Sequence, residues 1–264
     1  MVTDVMGILN VTPDSFSDGG ALVKEKINKS DSTFSVDMDK VLKKVELMIN
    51  DGASIIDVGG ESTRPGFNVV PKEEEILRVI PVIEKIKSEF NICVSLDTYK
   101  AQVAAEGIKA GIDIVNDIGM LNMDEDMIDV ISKNDIKYVL THNKEGYNDL
   151  CLDMKYEIER MLSKGVKKEN IILDPGIGFN KSFEQNKDEI KNINKLVQMD
   201  FPVLLGVSNK SVIGNALELP IGERLEGTIA LSVYAVLNGV KIIRVHDVKA
   251  NVRAIKMIEA IMFN

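Results

Sequence analysis

The sequence predicts an α/β protein, a (β/α)8 TIM barrel in which parallel strands alternate with helices. Short apolar runs recur along the 264-residue chain, and each is followed by a polar residue and usually by a helix-like segment. The runs are apolar on successive residues, which is typical of parallel strands buried on both faces and disfavours an antiparallel sandwich. The rival architecture, an open doubly wound sheet, does not explain why all eight runs end at a polar residue.

Eight apolar runs make up the predicted barrel. In chain order they are residues 5–9 before Asn10, 54–56 before Asp57, 92–96 before Asp97, 112–115 before Asn116, 137–140 just before His142, 171–173 before Asp174, 203–207 before Ser208, and 241–243 before Arg244. Barrel enzymes carry their chemistry at the C-terminal ends of the strands, so this polar set is a candidate active site.

The segments between the strands show the apolar spacing of helices that pack on a sheet. Residues 72–90 are a clear example, because Pro71 and three acids at 73–75 suit a helix start. The residues expected to face the strands are Ile76, Ile80, Ile83 and Ile86 here, and Val248, Val252, Ile255 and Met262 in the last helix.

Length, charge and cysteine content limit the possible functions. The even spacing of the units argues for one domain, residues 1–264, and the net charge of −9 speaks against a sequence-independent nucleic-acid binder, which needs a basic stripe. Cys93 and Cys151 lie in no CxxC or ligand cluster, so neither a disulfide nor a structural zinc is expected. No apolar stretch approaches the roughly 20 residues of a membrane span, and the first residues lack a signal-peptide pattern. We therefore expect a cytoplasmic protein with no membrane partner.

Two predicted connections, residues 12–38 and 59–71, are unusually long for this architecture. The first carries paired glycines and a polar stretch, and the second carries glycines around Glu61 and Arg64. Long loops in compact domains are usually functional or disordered. Both leave the C-terminal side of their strands, where a lid would lie, so we favour a function for both.

Both histidines of the chain follow predicted strands, His142 after the fifth and His246 after the eighth. Arg244 lies two residues before His246, and side chains two apart on a strand point to the same face. A guanidinium and an imidazole there suit phosphate oxygens. We therefore favour an anion site over the alternative, an ion pair of Arg244 with a carboxylate at the barrel mouth.

Three carboxylates, Asp57, Asp97 and Asp174, close apolar runs, where a charge is costly unless it is paired. They can pair with Lys or Arg across the barrel mouth, accept hydrogen bonds from a ligand rich in N–H donors, or act as a general base. Lys210 is the obvious counter-charge, although a lone lysine in such a loop is more often solvated.

Motifs for several other chemistries are missing from the sequence. The chain has no phosphate-loop motif, GxGxxG, GxSxG, HExxH or Cys/His cluster, so it does not support a nucleotide loop, a hydrolase triad or a zinc site. Any metal would be a hard ion such as Mg2+, held by few protein oxygens together with a substrate phosphate.

Taken together, the strand-end segments resemble those of the dihydropteroate synthases, the pterin-binding barrel enzymes of folate synthesis. The segments that carry the resemblance are MGILNVTPDSFSDGG at 6–20, DVGGESTRPG at 57–66, SLDT at 95–98, NDI at 116–118, DPGIGF at 174–179, RLEGT at 224–228 and RVHDV at 244–248. They extend from the first predicted strand to the last, and the first, second and last of them are specific and correctly ordered.

The resemblance implies a reaction in which p-aminobenzoate displaces pyrophosphate from 6-hydroxymethyl-7,8-dihydropterin diphosphate to give 7,8-dihydropteroate. It also implies Mg2+ as cofactor and a homodimer as the typical assembly. The implied pterin-binding residues are Asp97, Asn116, Asp174 and Lys210. The implied diphosphate contacts are Arg64, Arg244 and His246, with Asn10 on magnesium or the diphosphate. The implied neighbours of the aminobenzoate are Thr63, Pro65, Phe179, Lys210 and Ser211. The residues expected to act in catalysis are Asp97, Lys210, Arg244 and His246, with Asp18 and Asp57 as weaker candidates for stabilising a cation or orienting the loops.

Three positions depart from the usual pattern of this family. Asn209 replaces the Arg of Ser-Arg-Lys, Asn180 stands where Gly is common, and Thr141-His142-Asn143 replaces Met-His-Met. Two alternatives stay open from the sequence: a pterin-dependent methyltransferase on the same barrel, and a catalytically silent pterin-binding protein.

Overall fold

A computed structural model describes residues 3–12, 36–62, 69–144 and 149–262. The strands in these ranges are β1 Asp4–Asn10, β2 Ile55–Gly59, β3 Cys93–Asp97, β4 Ile114–Asp117, β5 Lys137–Thr141, β6 Ile171–Asp174, β7 Leu204–Leu205 and β8 Ile242–Val245. They form one parallel sheet in the order β6-β5-β4-β3-β2-β1-β8-β7. A bridge between Leu173 and Val203 joins its two ends. The predicted (β/α)8 TIM barrel is confirmed.

Helices follow the strands and surround the barrel. They are α1 Met38–Asn50, α2 Lys72–Glu89, α3 Ala101–Lys109, α4 Met127–Lys133, α5 Leu150–Ser163, α6 Phe183–Lys191, α7 Ile193–Val197, α8 Ser211–Leu217, α9 Leu225–Leu237 and α10 Val248–Met262. Two α-helices follow β6 and two follow β7, whereas a single α-helix follows each of the other strands in the described ranges. None of these helices is long and apolar enough to cross a membrane.

Four strands do not end where the polar residues of the sequence predict. β2 continues past Asp57 to Gly59, β4 past Asn116 to Asp117, and β8 past Arg244 to Val245, whereas β7 ends at Leu205, well before Ser208. Backbone pairing does not depend on side-chain polarity, and Asp57 is paired to Ile8 on one side and to Ser95 on the other. At Asp57, Asn116 and Arg244 the polar residue thus lines the inside of the barrel within its strand and is not the last residue of that strand.

The predicted helix faces are close to the observed ones but not identical. In α2, Ile83 and Ile86 are buried as predicted, whereas Ile76 and Ile80 are only half-buried. The neighbouring valines Val79 and Val82 are buried with them, so the packed stripe of α2 is turned slightly from the predicted one. In α10, the residues that pack as predicted are Val248, Val252 and Ile255, and Met262 at its end is 54% exposed.

The inside of the barrel consists of an apolar layer and, above it, a polar layer. The apolar layer, which we call the apolar floor, is a separate buried cluster of Met6, Ile55, Ile114, Val139, Ile172, Leu204 and Ile242. Side chains alternate across a strand, so the residue two places further along faces the same way. The residues two places after members of the apolar layer include Asp57, Asn116, Thr141, Asp174 and Arg244. The polar residues of five different strands are therefore brought together at one level, directly above the apolar floor.

Candidate active site

Arg244 is the centre of a buried cluster with Asp57, Asp97 and Asn116, which we call the guanidinium cluster. Its Nε donates to Asp57 Oδ2 at 2.6 Å, and its Nη2 donates to Asp97 Oδ2 at 2.6 Å. Asn116 Nδ2 also donates to Asp57 Oδ2, at 3.1 Å. The Arg244 side chain is 18% exposed and that of Asp57 is fully buried. Of the two roles weighed for Arg244, the structure contains the ion pair, and the diphosphate contact stays a prediction.

The cluster contains charges that burial makes costly. Burial raises the pKa of Asp97 to about 7, and the attraction of Arg244 only partly offsets this. Burial also opposes the charge of Arg244, but Asp57 and Asp97 outweigh it and raise the pKa of Arg244. Arg244 therefore stays charged, while Asp97 titrates near neutral pH.

Several buried acceptor atoms at the barrel mouth have no protein donor. Within the described residues, Asp57 Oδ1 and Asp97 Oδ1 have no hydrogen-bond partner, and neither do the hydroxyls of Ser95 and Thr141. Buried polar atoms are nearly always paired in folded proteins, so a group of exceptions at one end of the barrel calls for an explanation. A ligand that presents N–H donors would supply it.

Asp57 has a further effect on its neighbour Asn116. Because the Asn116 amide group donates through Nδ2 to Asp57, its Oδ1 is left as the atom that can accept from a ligand. Sequence analysis makes Asp57 only a weak candidate, yet its Oδ2 atom accepts hydrogen bonds from both Arg244 and Asn116. A signal was available, since Asp57 lies two residues after Ile55 and shares its inward direction.

Asp174 and Lys210 lie on the opposite side of the mouth, next to the loop that follows β6. Asp174 Oδ1 accepts from the Gly176 amide at 2.7 Å, and Lys210 Nζ donates to the carbonyl of Ile177. The same ammonium lies 4.8 Å from the centre of the Phe179 ring. Burial lowers the pKa of Lys210 to about 8, with Asp174 opposing the shift, and burial raises the pKa of Asp174.

Two more predicted residues lie at the ends of their strands. The Nδ1 atom of His246 is 2.9 Å from the Ser208 hydroxyl, so His246 reaches toward β7 whereas Arg244 reaches toward β2 and β3. Asn10 ends β1 beside Gly59, where a Cβ would come within 3.5 Å of Asn10 Oδ1 and 3.9 Å of Asp97 Oδ2. Glycine at this position leaves the space between Asn10 and Asp97 open.

Some predicted residues cannot be placed with this set. Asp18, Thr63, Arg64 and Pro65 lie outside the described residues. Ser211, the first residue of α8, is exposed. Two residues ahead of the 63–65 segment, Glu61 Oε2 accepts from the Val70 amide and from Lys100 Nζ, both at 2.7 Å.

His142 follows β5 as predicted but does not face the barrel interior. It is fully buried, and its Nε2 lies 3.2 Å from Asp153 Oδ2 on α5. The inward position on β5 belongs to Thr141, two residues after Val139 of the apolar floor. The alternation of side chains along the strand would have identified Thr141 from the sequence, whereas polarity alone selected His142.

Two departures from the usual family pattern have a backbone explanation. Asn209 has φ of +59° and Asn180 has φ of +45°, in the left-handed region. Among non-glycine residues, asparagine adopts this region most readily. Asn180 therefore keeps a conformation that glycine would adopt, and Asn209 keeps a turn whose carbonyl accepts from Arg224 at 2.9 Å.

The chain is similar to known proteins over most of its length. A family model described as pterin binding enzyme matches residues 6–246. A dihydropteroate synthase from Clostridium beijerinckii is 48% identical over 267 residues, covering 98% of this chain and 94% of the relative. This chain belongs to the dihydropteroate synthase family of pterin-binding enzymes.

Two solved structures of the family match nearly the whole fold. The Clostridium difficile dihydropteroate synthase in the presence of pteroic acid has a TM-score of 0.89 and 46% identity, over 99% of this chain and 97% of that one. The Xanthomonas albilineans dihydropteroate synthase with 4-aminobenzoic acid has a TM-score of 0.88 and 32% identity, over 99% and 94%. The resemblance found in the sequence is confirmed, and the proteins of this family are transferases of folate biosynthesis.

Proposed function

We propose that this chain condenses 6-hydroxymethyl-7,8-dihydropterin diphosphate with p-aminobenzoate to give 7,8-dihydropteroate and pyrophosphate. The observation that carries the proposal is the set of unpartnered acceptor oxygens on Asp57 and Asp97 beside the Arg244 guanidinium. The pteroic acid and the 4-aminobenzoic acid present with two relatives are chemically the product skeleton and the second substrate.

The pterin binds between the two sides of the mouth. Its amino-pyrimidine edge offers several N–H donors, and the buried acceptors that suit them are Asp97, Asn116 and Asp174. Lys210 adds a cation next to Asp174, and its position over the Phe179 ring supports a role for it at the border of the aminobenzoate site. Thr63, Pro65 and Ser211 complete that border by their place in the family motifs.

The diphosphate binds to Arg244 and His246, with Asn10 at the end of β1 and with Arg64 by its place in the family motifs. A guanidinium has five N–H donors, and the bonds to Asp57 and Asp97 use two of them. Arg244 can therefore contact a diphosphate oxygen while it keeps both ion pairs.

The chemistry needs charge stabilisation and exclusion of water rather than a protein nucleophile. The C–O bond between the pterin methylene and the diphosphate breaks with its electron pair leaving on pyrophosphate, and the electron-rich ring delocalises the cation left behind. The aminobenzoate nitrogen then forms the new C–N bond and releases a proton. Arg244 and His246 stabilise the departing negative charge, while Asp97 stabilises charge on the ring.

Mg2+ is the proposed cofactor, with Asn10 as its protein ligand. No group of three or more His, Cys, Asp or Glu side chains in the described ranges could hold a metal ion. An amide oxygen such as that of Asn10, at the open space beside Gly59, suits a hard ion that takes most of its ligands from water and substrate phosphate. When bound, the ion neutralises charge on the leaving diphosphate.

Residues 1–264 form one pterin-binding domain in this proposal, since a single sheet extends from Asp4 to Val245. We also propose a homodimer, the typical assembly of the family. Exposed apolar side chains on outer helices, such as Leu237 of α9 and Ile261 of α10, offer surface for it. Sedimentation equilibrium decides the point, and a single species of monomer mass would reject the dimer.

The decisive test is coupling of labelled p-aminobenzoate to the pterin diphosphate with Mg2+. The proposal requires labelled dihydropteroate and one pyrophosphate per product. Binding of the pterin without release of pyrophosphate would identify a silent pterin-binding protein instead. Methyl transfer from methyltetrahydrofolate to a corrinoid protein, without coupling, would identify the methyltransferase.

The assignment of the anion site needs its own test. Replacing both Arg244 and His246 with Ala should weaken binding of the pterin diphosphate far more than binding of the unphosphorylated pterin. The matched variant Asp97→Asn should weaken both alike, by roughly 10–100-fold, because it removes a charged hydrogen-bond acceptor worth about 1.5–3 kcal/mol. Equal losses for the two ligands in the double Ala variant would refute the diphosphate role.

A further inference from the structure

Lys181, in the loop between β6 and α6, is a buried cation to which the proposed mechanism gives no role. Its side chain is 1% exposed, and its ammonium donates to three carbonyl oxygens: His142 at 3.0 Å, Pro175 at 2.5 Å and Gly176 at 3.0 Å. These bonds use all three N–H donors of a lysine. Its ionic partner is the equally buried Glu189 of α6, whose Oε2 lies 3.2 Å from Lys181 Nζ.

The three carbonyls belong to two strand-end loops, which the ammonium joins. His142 follows β5, whereas Pro175 and Gly176 follow β6. The loops approach so closely that a Cβ on Gly176 would lie 2.1 Å from the His142 carbonyl oxygen. Buried carbonyls without a donor are costly. A donor at the meeting point of the two loops therefore stabilises their close approach.

The backbone that Lys181 holds also positions two pterin-facing charges. Asp174 accepts from the Gly176 amide at 2.7 Å, and the Ile177 carbonyl accepts from Lys210 Nζ. A shift of this backbone would turn the Asp174 carboxylate and move the Lys210 ammonium together. A displacement of about 1 Å in a positioned group can cost roughly 100-fold in rate.

We propose that Lys181 is a positioning residue for the pterin pocket: it holds the loop after β6 against the loop after β5 and so keeps Asp174 and Lys210 in place. The proposal rests on the proposed function only for the identity of the ligand. It differs from a purely structural role, in which Lys181 would do no more than balance the buried charge of Glu189.

The charge-balancing role is real and has to be separated from the positioning role. Burial raises the pKa of Glu189 to about 7 despite the attraction of Lys181, and burial lowers the pKa of Lys181. Lys181→Met removes the ammonium, Glu189→Gln removes the carboxylate, and the double variant removes both charges. Lys187→Met, at a side chain of α6 that is 50% exposed, is the matched control for loss of a lysine.

Binding of 6-hydroxymethyl-7,8-dihydropterin and amide hydrogen exchange are the two measurements. Lys181→Met should raise the Kd roughly 10–100-fold and reduce exchange protection of the Gly176 and Phe179 amides, which are bonded within this loop. Glu189→Gln and Lys187→Met should change the Kd by no more than about twofold. The double variant should regain part of the denaturation midpoint that Lys181→Met loses, yet bind the pterin as weakly as Lys181→Met does.

Wild-type affinity and exchange protection in the double variant would overturn the proposal, because Lys181 would then serve charge balance alone. If Lys181→Met does not fold, the double variant still decides the matter. If the wild-type protein does not bind the pterin, the proposed function fails, but exchange at Gly176 and Phe179 still shows whether Lys181 holds the loop.

Discussion

The two sides of the barrel mouth hold their charges by different means. On the side of β2, β3, β4 and β8, side chains bond to side chains, as Arg244 does to Asp57 and Asp97. On the side of β5, β6 and β7, the ammonium groups of Lys181 and Lys210 bond to backbone carbonyls. The first side depends on which side chains face inward, and the second depends on the path of the backbone.

This difference indicates how each side responds to substitution. Removing a charge from the guanidinium cluster leaves another charge buried without a partner, so the cost is electrostatic. A change of backbone geometry on the side of β5, β6 and β7, which we call the lysine side, displaces several groups at once. The cost is therefore steric, and it lowers ligand affinity as well as stability. The following changes should distinguish the two sides, in order of decreasing effect.

The largest effect should come from Arg244→Met, which breaks the guanidinium cluster. Asp57 and Asp97 would be left buried side by side, and breaking a buried pair in this way lowers the free energy of unfolding by about 3–5 kcal/mol. Urea denaturation at pH 8, where Asp97 is mostly ionised, measures the loss. Lys133→Met, which breaks a surface pair with Asp129, is the control. Equal stability of the two variants would show that the cluster is not held by charge.

The next effect should come from Gly176→Ala, which tests the close backbone approach on the lysine side. Gly176 has φ of +68° and Gly165 has φ of +91°, so alanine is strained at both. Only at Gly176 does the new Cβ meet an atom, the His142 carbonyl oxygen at 2.1 Å, since nothing lies within 4 Å at Gly165. Gly176→Ala should therefore cost about 1–3 kcal/mol more in free energy of unfolding than Gly165→Ala, and similar losses would argue against the close approach.

A smaller effect should appear in the pH dependence of stability, with opposite slopes for the two sides. The pKa of Asp97 rises from 3.8 to about 7 on folding. The contribution of Asp97 to the free energy of unfolding is therefore fully present below pH 3.8 and is lost as pH rises through 7. The pKa of Lys210 falls from 10.5 to about 8 on folding. The contribution of Lys210 to the free energy of unfolding is therefore fully present above pH 10.5 and is lost as pH falls through 8.

Two variants isolate these slopes. The free energy of unfolding of the wild type minus that of Asp97→Asn should fall between pH 5 and pH 8, because the neutral Asn cannot lose a proton. The wild type minus Lys210→Met should rise between pH 8 and pH 10. Flat differences in both ranges would contradict the burial of these two charges.

The smallest effect should come from Asn209, whose backbone is left-handed beside Lys210. Asn209→Ala should lower the free energy of unfolding by about 1 kcal/mol, since alanine is strained at a φ of +59°. Asn209→Gly should cost less, because glycine adopts this region freely. A larger loss for Gly than for Ala, measured by urea denaturation, would show that the Asn side chain matters more than its backbone.

Much of the fold and site could be predicted from residue type and order. The apolar runs identified all eight strands, and the polar residues after them included Asp97, Asn116 and Asp174, which the structure gathers above one apolar floor. The errors came from treating polarity as a strand end. Asp57 lies inside β2, and His142 is turned to α5, as the alternation of side chains from the apolar floor would have indicated.

The contacts of Lys181 could not be predicted from the sequence. Its partners come from the loop after β5, the loop after β6 and a turn of α6, and neither its position nor its neighbours in the chain indicate that these carbonyls converge. The contact exists only because the barrel places consecutive strand ends side by side.

The sequence by itself determined the barrel, the family and the residue types at the mouth, because strand periodicity and local motifs depend on neighbours in the chain. Only the tertiary structure decided which charges meet. Arg244 pairs with residues 187 and 147 positions away. Burial then decides the protonation of Asp97 and Lys210, since the cost of a charge depends on what surrounds it in space.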